Sequence, residues 1–169
     1  MVDWLQMDEN YSARLRLAAD SRQWRRVAIF LAHSGDSWFW GLGLLVVFWL
    51  GTWEWKAVAI KLVISIAVVA MVVQLTKSMV RRKRPDGEWG QLYRRTDPHS
   101  FPSGHAARLA MLTVVCALWN MPWAAALLVI WTPLVAWARV ALGLHYLSDV
   151  IGGSFLGICI GCAIGMGMF

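Results

Sequence analysis

What most limits the fold of this chain is the apolar run from about Trp55 to Val80, in which no charged residue occurs between Lys61 and Lys77. As a helix rising roughly 1.5 Å per residue it can cross a hydrocarbon layer of roughly 30 Å and still carry its last turn, with Lys77, into the interface. The composition agrees. Of 169 residues, 59% are hydrophobic and 15% charged, where soluble domains carry about a quarter charged, and mean hydropathy is +0.53. The chain reads as an integral membrane protein, a single domain over residues 1–169.

Four further apolar stretches flank that helix. Ser37–Gly51, rich in Trp, Leu and Val, precedes it across a tight Thr52–Trp53–Glu54 connection. Spans at 104–120, 123–141 and 147–168 follow, joined by Asn120–Met121–Pro122 and by Gly143–Leu144–His145–Tyr146. The expected fold is all-α: an integral membrane helical bundle of about five transmembrane helices plus an N-terminal amphipathic or short helix. Residues 1–33 make up that interfacial region. Arg14, Arg16, Arg22, Arg25 and Arg26 interleave there with Leu15, Leu17, Ala18 and Trp24, which predicts a basic helix lying among the headgroups as far as residue 26 rather than a cleavable signal. Val27–Ala32 is too short to span and reads as a partly inserted helix. His33–Ser34–Gly35–Asp36 then supplies a turn with a helix-capping Asp or Ser. Residues 81–103 form a polar loop in which nothing reads as a strand.

Three polar blocks stand at the ends of these helices: Lys77-x6-Arg84-Pro85, Pro102-Ser103-Gly104-His105 and Arg139-x5-His145-x3-Asp149. In a bundle of alternating helices all three fall on one face. A phosphate monoester or diphosphate carries about two negative charges and needs several fixed donors; Arg84 and Arg139 offer planar bidentate forks and Lys77 a point charge. Ser103–Gly104 precedes an apolar helix, so its N–H groups and the helix's positive end make an anion seat, with glycine allowing close approach. Two histidines, His105 and His145, can divide an in-line substitution, one attacking phosphorus and the other protonating the departing oxygen. Asp149 lies one helical turn beyond His145, where it can hold that imidazole in the tautomer that frees its other nitrogen. Such chemistry requires no metal and no cofactor.

With these blocks in this order and spacing, and with Ser100–Phe101 and Ser148–Asp149–Val150–Ile151–Gly152–Gly153 beside them, the chain resembles the type 2 phosphatidic acid phosphatase superfamily. These are membrane lipid phosphatases that share their helical core with vanadium haloperoxidases. The resemblance runs from residue 55 to residue 155. It implies that His145 is the nucleophile, forming a phosphohistidine, with Asp149 orienting it. It implies that His105 is the acid and that Lys77, Arg84, Ser103, Gly104 and Arg139 bind the phosphate. The implied activity is hydrolysis of a lipid phosphate monoester or diphosphate of the phosphatidic acid, phosphatidylglycerophosphate or polyprenyl (di)phosphate type, with the bilayer lipid as partner and no nucleic acid. Two departures stand out. Ala138 occupies a position where the family often has Ser, and the first helix is short and arginine-rich where the family core usually has six helices.

Two other readings come from different classes: a vanadate-dependent oxidative enzyme using the same pocket, and a lipid-phosphate-binding or flippase-like protein with a dead site. The intact His145, Asp149 and His105 argue against the latter. All but Lys56 and Lys61 of the 16 Lys and Arg lie on or near the motif face. The positive-inside rule would make that face cytoplasmic, in a prokaryotic plasma membrane for so compact a chain, although a phosphate site is basic whichever compartment it opens to. Arg81, Arg82 and Lys83 read as a stop-transfer anchor, Arg108 equally as a substrate contact or an ion-pair partner, and His33 and His99 as solvated. Trp38, Trp40, Trp53, Trp55, Trp119 and Trp123 read as interfacial anchors, while Trp89 and Tyr93 could touch a headgroup. The glycines at 152, 153, 157, 161, 165 and 167 suggest close packing within the chain or a homo-oligomer face.

Overall fold

The computed structural model describes residues 4–18, 21–86 and 97–168; Trp89 and Tyr93 lie outside them. The described residues form seven α-helices in the order α1 (Trp4–Arg14), α2 (Arg22–Ser34), α3 (Ser37–Leu50), α4 (Trp53–Val80), α5 (Gly104–Leu118), α6 (Pro122–Ala141) and α7 (Leu147–Ala163). A π-helical turn, Ile164–Met168, prolongs α7. Five of these are apolar. α4, α6 and the prolonged α7 are long and apolar enough to cross a membrane, while α3 and α5 are apolar but shorter. The outward faces fit a lipid environment: Trp49 and Leu50 on α3, Leu127 and Ile130 on α6, and Ile151 and Phe155 on α7 are all exposed. An apolar side chain facing hydrocarbon costs nothing, whereas buried charge must be paired.

α5 is the central element, packing against α4, α6 and α7. Leu109, Met111, Leu112 and Val115 are fully buried on it and meet Val69 and Val73 of α4 and Val135 of α6. Its contact with α7 is backbone to backbone. A Cβ added at Gly153 would stand 2.4 Å from the Ser103 carbonyl oxygen, and at Gly157 2.1 Å from that of Ala107. Gly161 faces Met111 in the same way, 3.0 Å from its carbonyl. Small residues four apart let two helices approach without side chains between them. This stripe is therefore used inside the chain.

The N-terminal region departs from the expected pair of elements, one basic helix to residue 26 and a short one after it. The chain breaks between Arg14 and Arg22, and α2 runs unbroken from Arg22 to Ser34. The break has a physical cause. Leu17 N–H donates to the Ala141 carbonyl at 3.0 Å and Leu147 N–H to Ser12 Oγ at 2.8 Å, so the chain is pinned against the α6–α7 turn. Beyond it, Ala28, Leu31 and Ala32 are buried against Ala138 of α6. Asp36 also departs from expectation: it is the N-cap of α3 but makes no capping bond. Trp40 is no free anchor either, since its indole donates to the Ser34 carbonyl at 3.1 Å.

Replacing Gly157 by Ala should cost about 1–3 kcal/mol of stability by forcing the helices apart, while Gly43→Ala, with nothing within 4 Å of its added Cβ, should be neutral or better. Thermal unfolding of the detergent-solubilised protein checks this, and equal melting temperatures for the two variants would contradict the packing described.

Candidate active site

Four chain segments meet at one end of the bundle: the α2–α3 turn, the end of α4 with the residues after it, the start of α5 and the α6–α7 turn. Between them lies a cavity of about 240 Å³. Its polar wall is made by Gln74, Lys77, Asp97, His105, Arg108, Arg139 and His145, and Gly104 also borders it. Both histidines thus face one small space. Lys77, Arg84 and Arg139 are each buried, and Asp149 and His145 are fully so.

Local backbone geometry sets these positions. α4 ends with Arg81 in the left-handed conformation (φ 52°), its N–H closing on the Lys77 carbonyl. Residues 81–84 then turn back across the bundle, where Ser100 N–H donates to the Arg82 carbonyl at 2.8 Å. α6 ends at Ala141, and Gly143 (φ 68°) makes the turn that presents His145; at that angle a side chain would be strained.

Arg84 is the hub of the cationic side. Its Nε donates to the Asp97 carbonyl at 2.7 Å, its Nη2 to Asp97 Oδ2 at 2.8 Å and its Nη1 to the Leu144 carbonyl at 2.8 Å, with His145 Nε2 3.2 Å from Nη1. Lys77 Nζ also pairs with Asp97 Oδ2. A carboxylate of this protein therefore sits on the two cations expected to take a phosphate. Burial alone would raise the Asp97 pKa, but the hydrogen bond and charge of Lys77, with the charge of Arg84, outweigh it and hold the group below the usual carboxylate range. The His145 pKa also falls, for a different reason: burial first, then Arg139, Arg84 and Lys77, push it well below its ordinary value. Its imidazole is neutral, the form in which a ring nitrogen can attack.

Asp149 approaches His145 by a route that differs from one turn of helix. α7 starts at Leu147, so His145 lies outside it; Asp149, in the first turn, reaches back to accept the Tyr146 N–H at 2.8 Å with Oδ2. The same oxygen is 3.4 Å from His145 Nδ1, an electrostatic contact short of an aligned hydrogen bond. Asp149 Oδ1 accepts from Arg82 Nη1 at 2.9 Å. Ser103 also departs from expectation. Its N–H is spent on the Asp149 carbonyl at 2.9 Å, so the anion seat at this helix start falls to the next residues, beginning at Gly104. Ser103 Oγ is buried without a hydrogen-bond partner.

Three residues at the site carry no motif signal. Asp36 Oδ1 lies 2.7 Å from His105 Nε2, and its Oδ2 meets His33 Nδ1 at 3.0 Å and the Trp38 indole at 3.2 Å. Burial would raise the Asp36 pKa; the hydrogen bonds from His105 and His33 win and hold it far down, so it is ionised. Arg108 Nη1 donates to the Gly35 carbonyl, bracing that turn, and a Cβ at Gly35 would stand 2.7 Å from His105 Cδ2. Arg82, read from sequence as part of an anchor, instead bridges Asp149 and Asp8. The one available clue was ionisable residues at the ends of apolar helices, which are rarely idle.

Residues 58–166 match the PAP2 superfamily, and the chain belongs to that family. It is 32% identical over 123 residues to the putative undecaprenyl-diphosphatase YbjG of Escherichia coli K12, covering 70% of this chain and 61% of that protein. To the undecaprenyl-diphosphatase of Sulfolobus acidocaldarius it is 30% identical over 135 residues, covering 76% and 63%. The chain thus spans under two thirds of the length of these relatives. Among solved structures, a transmembrane PAP2 type phosphatidylglycerolphosphate phosphatase from Bacillus subtilis superimposes with a TM-score of 0.72 at 22% identity, covering 95% of this chain and 83% of that one. LpxE of Aquifex aeolicus gives 0.72 at 20%, covering 96% and 94%. These two share the fold.

Inorganic phosphate should bind this cavity and raise the melting temperature, by about 2.7 kcal/mol of stability at a hundred times Kd. Arg84→Ala should abolish the shift, while Asp97→Asn, which removes the competing carboxylate, should tighten phosphate binding several-fold. Weaker binding in Asp97→Asn would contradict the competition.

Proposed function

We propose that this protein is a membrane lipid phosphatase that hydrolyses a phosphate monoester or diphosphate at the bilayer surface through a phosphohistidine on His145, without a metal. The observation that carries the reading is the sharing of one cavity by His145 and His105 with Lys77 and Arg139, in a chain whose family membership is independent of that geometry. In the first step the substrate's phosphoryl group displaces Asp97 from Lys77 and Arg84. His145 Nε2 attacks phosphorus in line, the bond to the leaving oxygen breaks, and His105, entering the step as an imidazolium paired with Asp36, gives that oxygen a proton and is left neutral. With Nε2 of His105 engaged by Asp36, Nδ1 is the nitrogen that exchanges the proton. In the second step His105 takes a proton from water, which attacks the phosphohistidine and releases inorganic phosphate.

The charge that builds on the phosphoryl oxygens meets fixed cations in a water-poor site, where they act more strongly than in solution. The positive charge that His145 acquires on bonding phosphorus is met by Asp149. Gly104 and the start of α5 supply backbone donors; Ser103 contributes through its hydroxyl. Similarity to undecaprenyl-diphosphatases supports a polyprenyl diphosphate as the first substrate to try, with phosphatidic acid and phosphatidylglycerophosphate next. We read the setting as a prokaryotic plasma membrane with the site on the cytoplasmic side, from the basic excess on that face. Gly153, Gly157 and Gly161 are spent inside the chain, so a homo-oligomer through the last helix would use its outer face, with Ile151 and Phe155.

A phosphate-release panel over these lipids, run with purified protein in EDTA, tests the reading. Activity should persist in EDTA, fall at least about 10⁴-fold in His145→Ala, and fall about 10²–10⁴-fold in His105→Ala. Full activity of His145→Ala, or dependence on added metal, would overturn it.

A further inference from the structure

The N-terminal helix ends at the catalytic end of the bundle, and its contacts there are polar. Asp8 Oδ2 accepts from Arg82 Nη2 at 2.6 Å and from Ser148 Oγ at 2.5 Å, while Asp8 Oδ1 accepts the Ser148 N–H at 3.0 Å. One turn on, Ser12 Oγ takes the Leu147 N–H. The Tyr146 hydroxyl reaches Glu9 at 3.4 Å. α1 thus caps α7 from outside: three of its side chains meet the segment 146–148, including two of the first N–H groups of α7, which have no partner within their own helix. Negative charge is favoured at that end of a helix. Meanwhile Trp4 and Leu5 on α1 remain exposed.

Arg82 connects this cap to the reaction centre. Its Nη1 donates to Asp149 Oδ1 at 2.9 Å and to Ser148 Oγ at 2.6 Å, its Nη2 holds Asp8, and its guanidinium carbon lies 4.0 Å from the centre of the Tyr146 ring. Both terminal nitrogens and one face of this cation are engaged. The consequence falls on Asp149, whose two oxygens are held by different partners: Oδ1 by Arg82, Oδ2 by the Tyr146 N–H, with Oδ2 turned to His145. Rotation of that carboxylate would remove it from His145 Nδ1.

We propose that Arg82, seated by Asp8 of the N-terminal helix, is a positioning residue for the Asp149–His145 pair, so that α1 is an element of the active site and not only a membrane-surface helix. This rests on the proposal that His145 is the nucleophile. The charges explain why two acidic groups are needed. Arg82 alone would cancel the Asp149 carboxylate, leaving nothing to balance the imidazolium formed when His145 bonds phosphorus. Asp8 takes up the second face of Arg82, and the trio keeps one net negative charge beside His145. Arg82 makes no part of the cavity wall, where Lys77 and Arg139 stand, and unlike Arg84 it bonds no residue of that wall, its partners being Asp8, Ser148 and Asp149. Its loss should therefore act on turnover and leave binding alone.

The test is a double-mutant cycle in the full-length detergent-solubilised protein, with farnesyl diphosphate and dioctanoyl phosphatidic acid as probes and whichever is hydrolysed faster taken forward. Arg82→Gln should lower kcat roughly 10–100-fold, as loss of a partner that orients a reacting group does, with KM within about twofold of wild type. Asp8→Asn should lower kcat by a smaller factor. The double variant should be no worse than Arg82→Gln alone, because both act through one connection. Arg82→Lys, which keeps the charge, should recover part of the rate. An unchanged kcat in Arg82→Gln, a loss carried only by KM, or additive losses in the double variant would each overturn the proposal. Should Arg82→Gln fail to fold, Asp8→Asn and Arg82→Lys decide it: kcat below wild type at unchanged KM in both supports it, and wild-type kcat in either overturns it. His145→Ala run alongside separates the two proposals. If it is inactive while Arg82 has no effect, only the role of Arg82 falls; if it is active, the nucleophile falls first.

Discussion

The structure depends on how it keeps charge inside an apolar bundle. Lys77, Arg84, Arg108, Arg139 and Asp149 are all buried, and an isolated buried ion costs several kcal/mol even after relaxation. The chain meets that cost by gathering the charges at one end and interleaving signs: Asp97 between Lys77 and Arg84, Arg82 between Asp8 and Asp149, Asp36 against His105. A site so built is pre-organised. Its cations are held at fixed positions, the condition under which electrostatic stabilisation gains most over water.

Helix packing delivers those charges to one place. α5 and α7 touch through Gly153, Gly157 and Gly161, and the same approach allows Ser103 N–H to bond the Asp149 carbonyl. That hydrogen bond ties the start of the helix carrying His105 to the start of the helix beside His145. Spreading the two helices by one methyl group would separate the two imidazoles, so the glycine stripe in the membrane and the two histidines at its edge are one design constraint.

Much of this was legible in the sequence, because its signals are local. Apolar runs mark the helices from α3 to α7, and the three polar blocks name residues that share one cavity wall or lie against it. What was not legible lies in long-range pairing. Nothing in a linear pattern says that Arg82 will reach Asp149, 67 positions away, so a basic run after an apolar helix reads as an anchor. Asp36 heads α3, where Asp ordinarily caps, and only the fold reveals that its side chain is turned to His105. Ser103 N–H looked like an anion donor because the competing Asp149 carbonyl comes from another helix. The break between α1 and α2 follows from bonds to the α6–α7 turn, again a tertiary effect overriding a local amphipathic pattern.

The central claim is that imidazole nitrogen 145 becomes covalently attached to phosphorus. Rapid quench of the protein with a radiolabelled diphosphate substrate, followed by digestion under alkaline conditions and peptide mapping, tests it directly. The expected result is an acid-labile, base-stable phosphoryl group on the peptide carrying His145, formed and discharged at rates compatible with turnover. A label on any other residue, or turnover with no labelled peptide when discharge is the slower step, would contradict it.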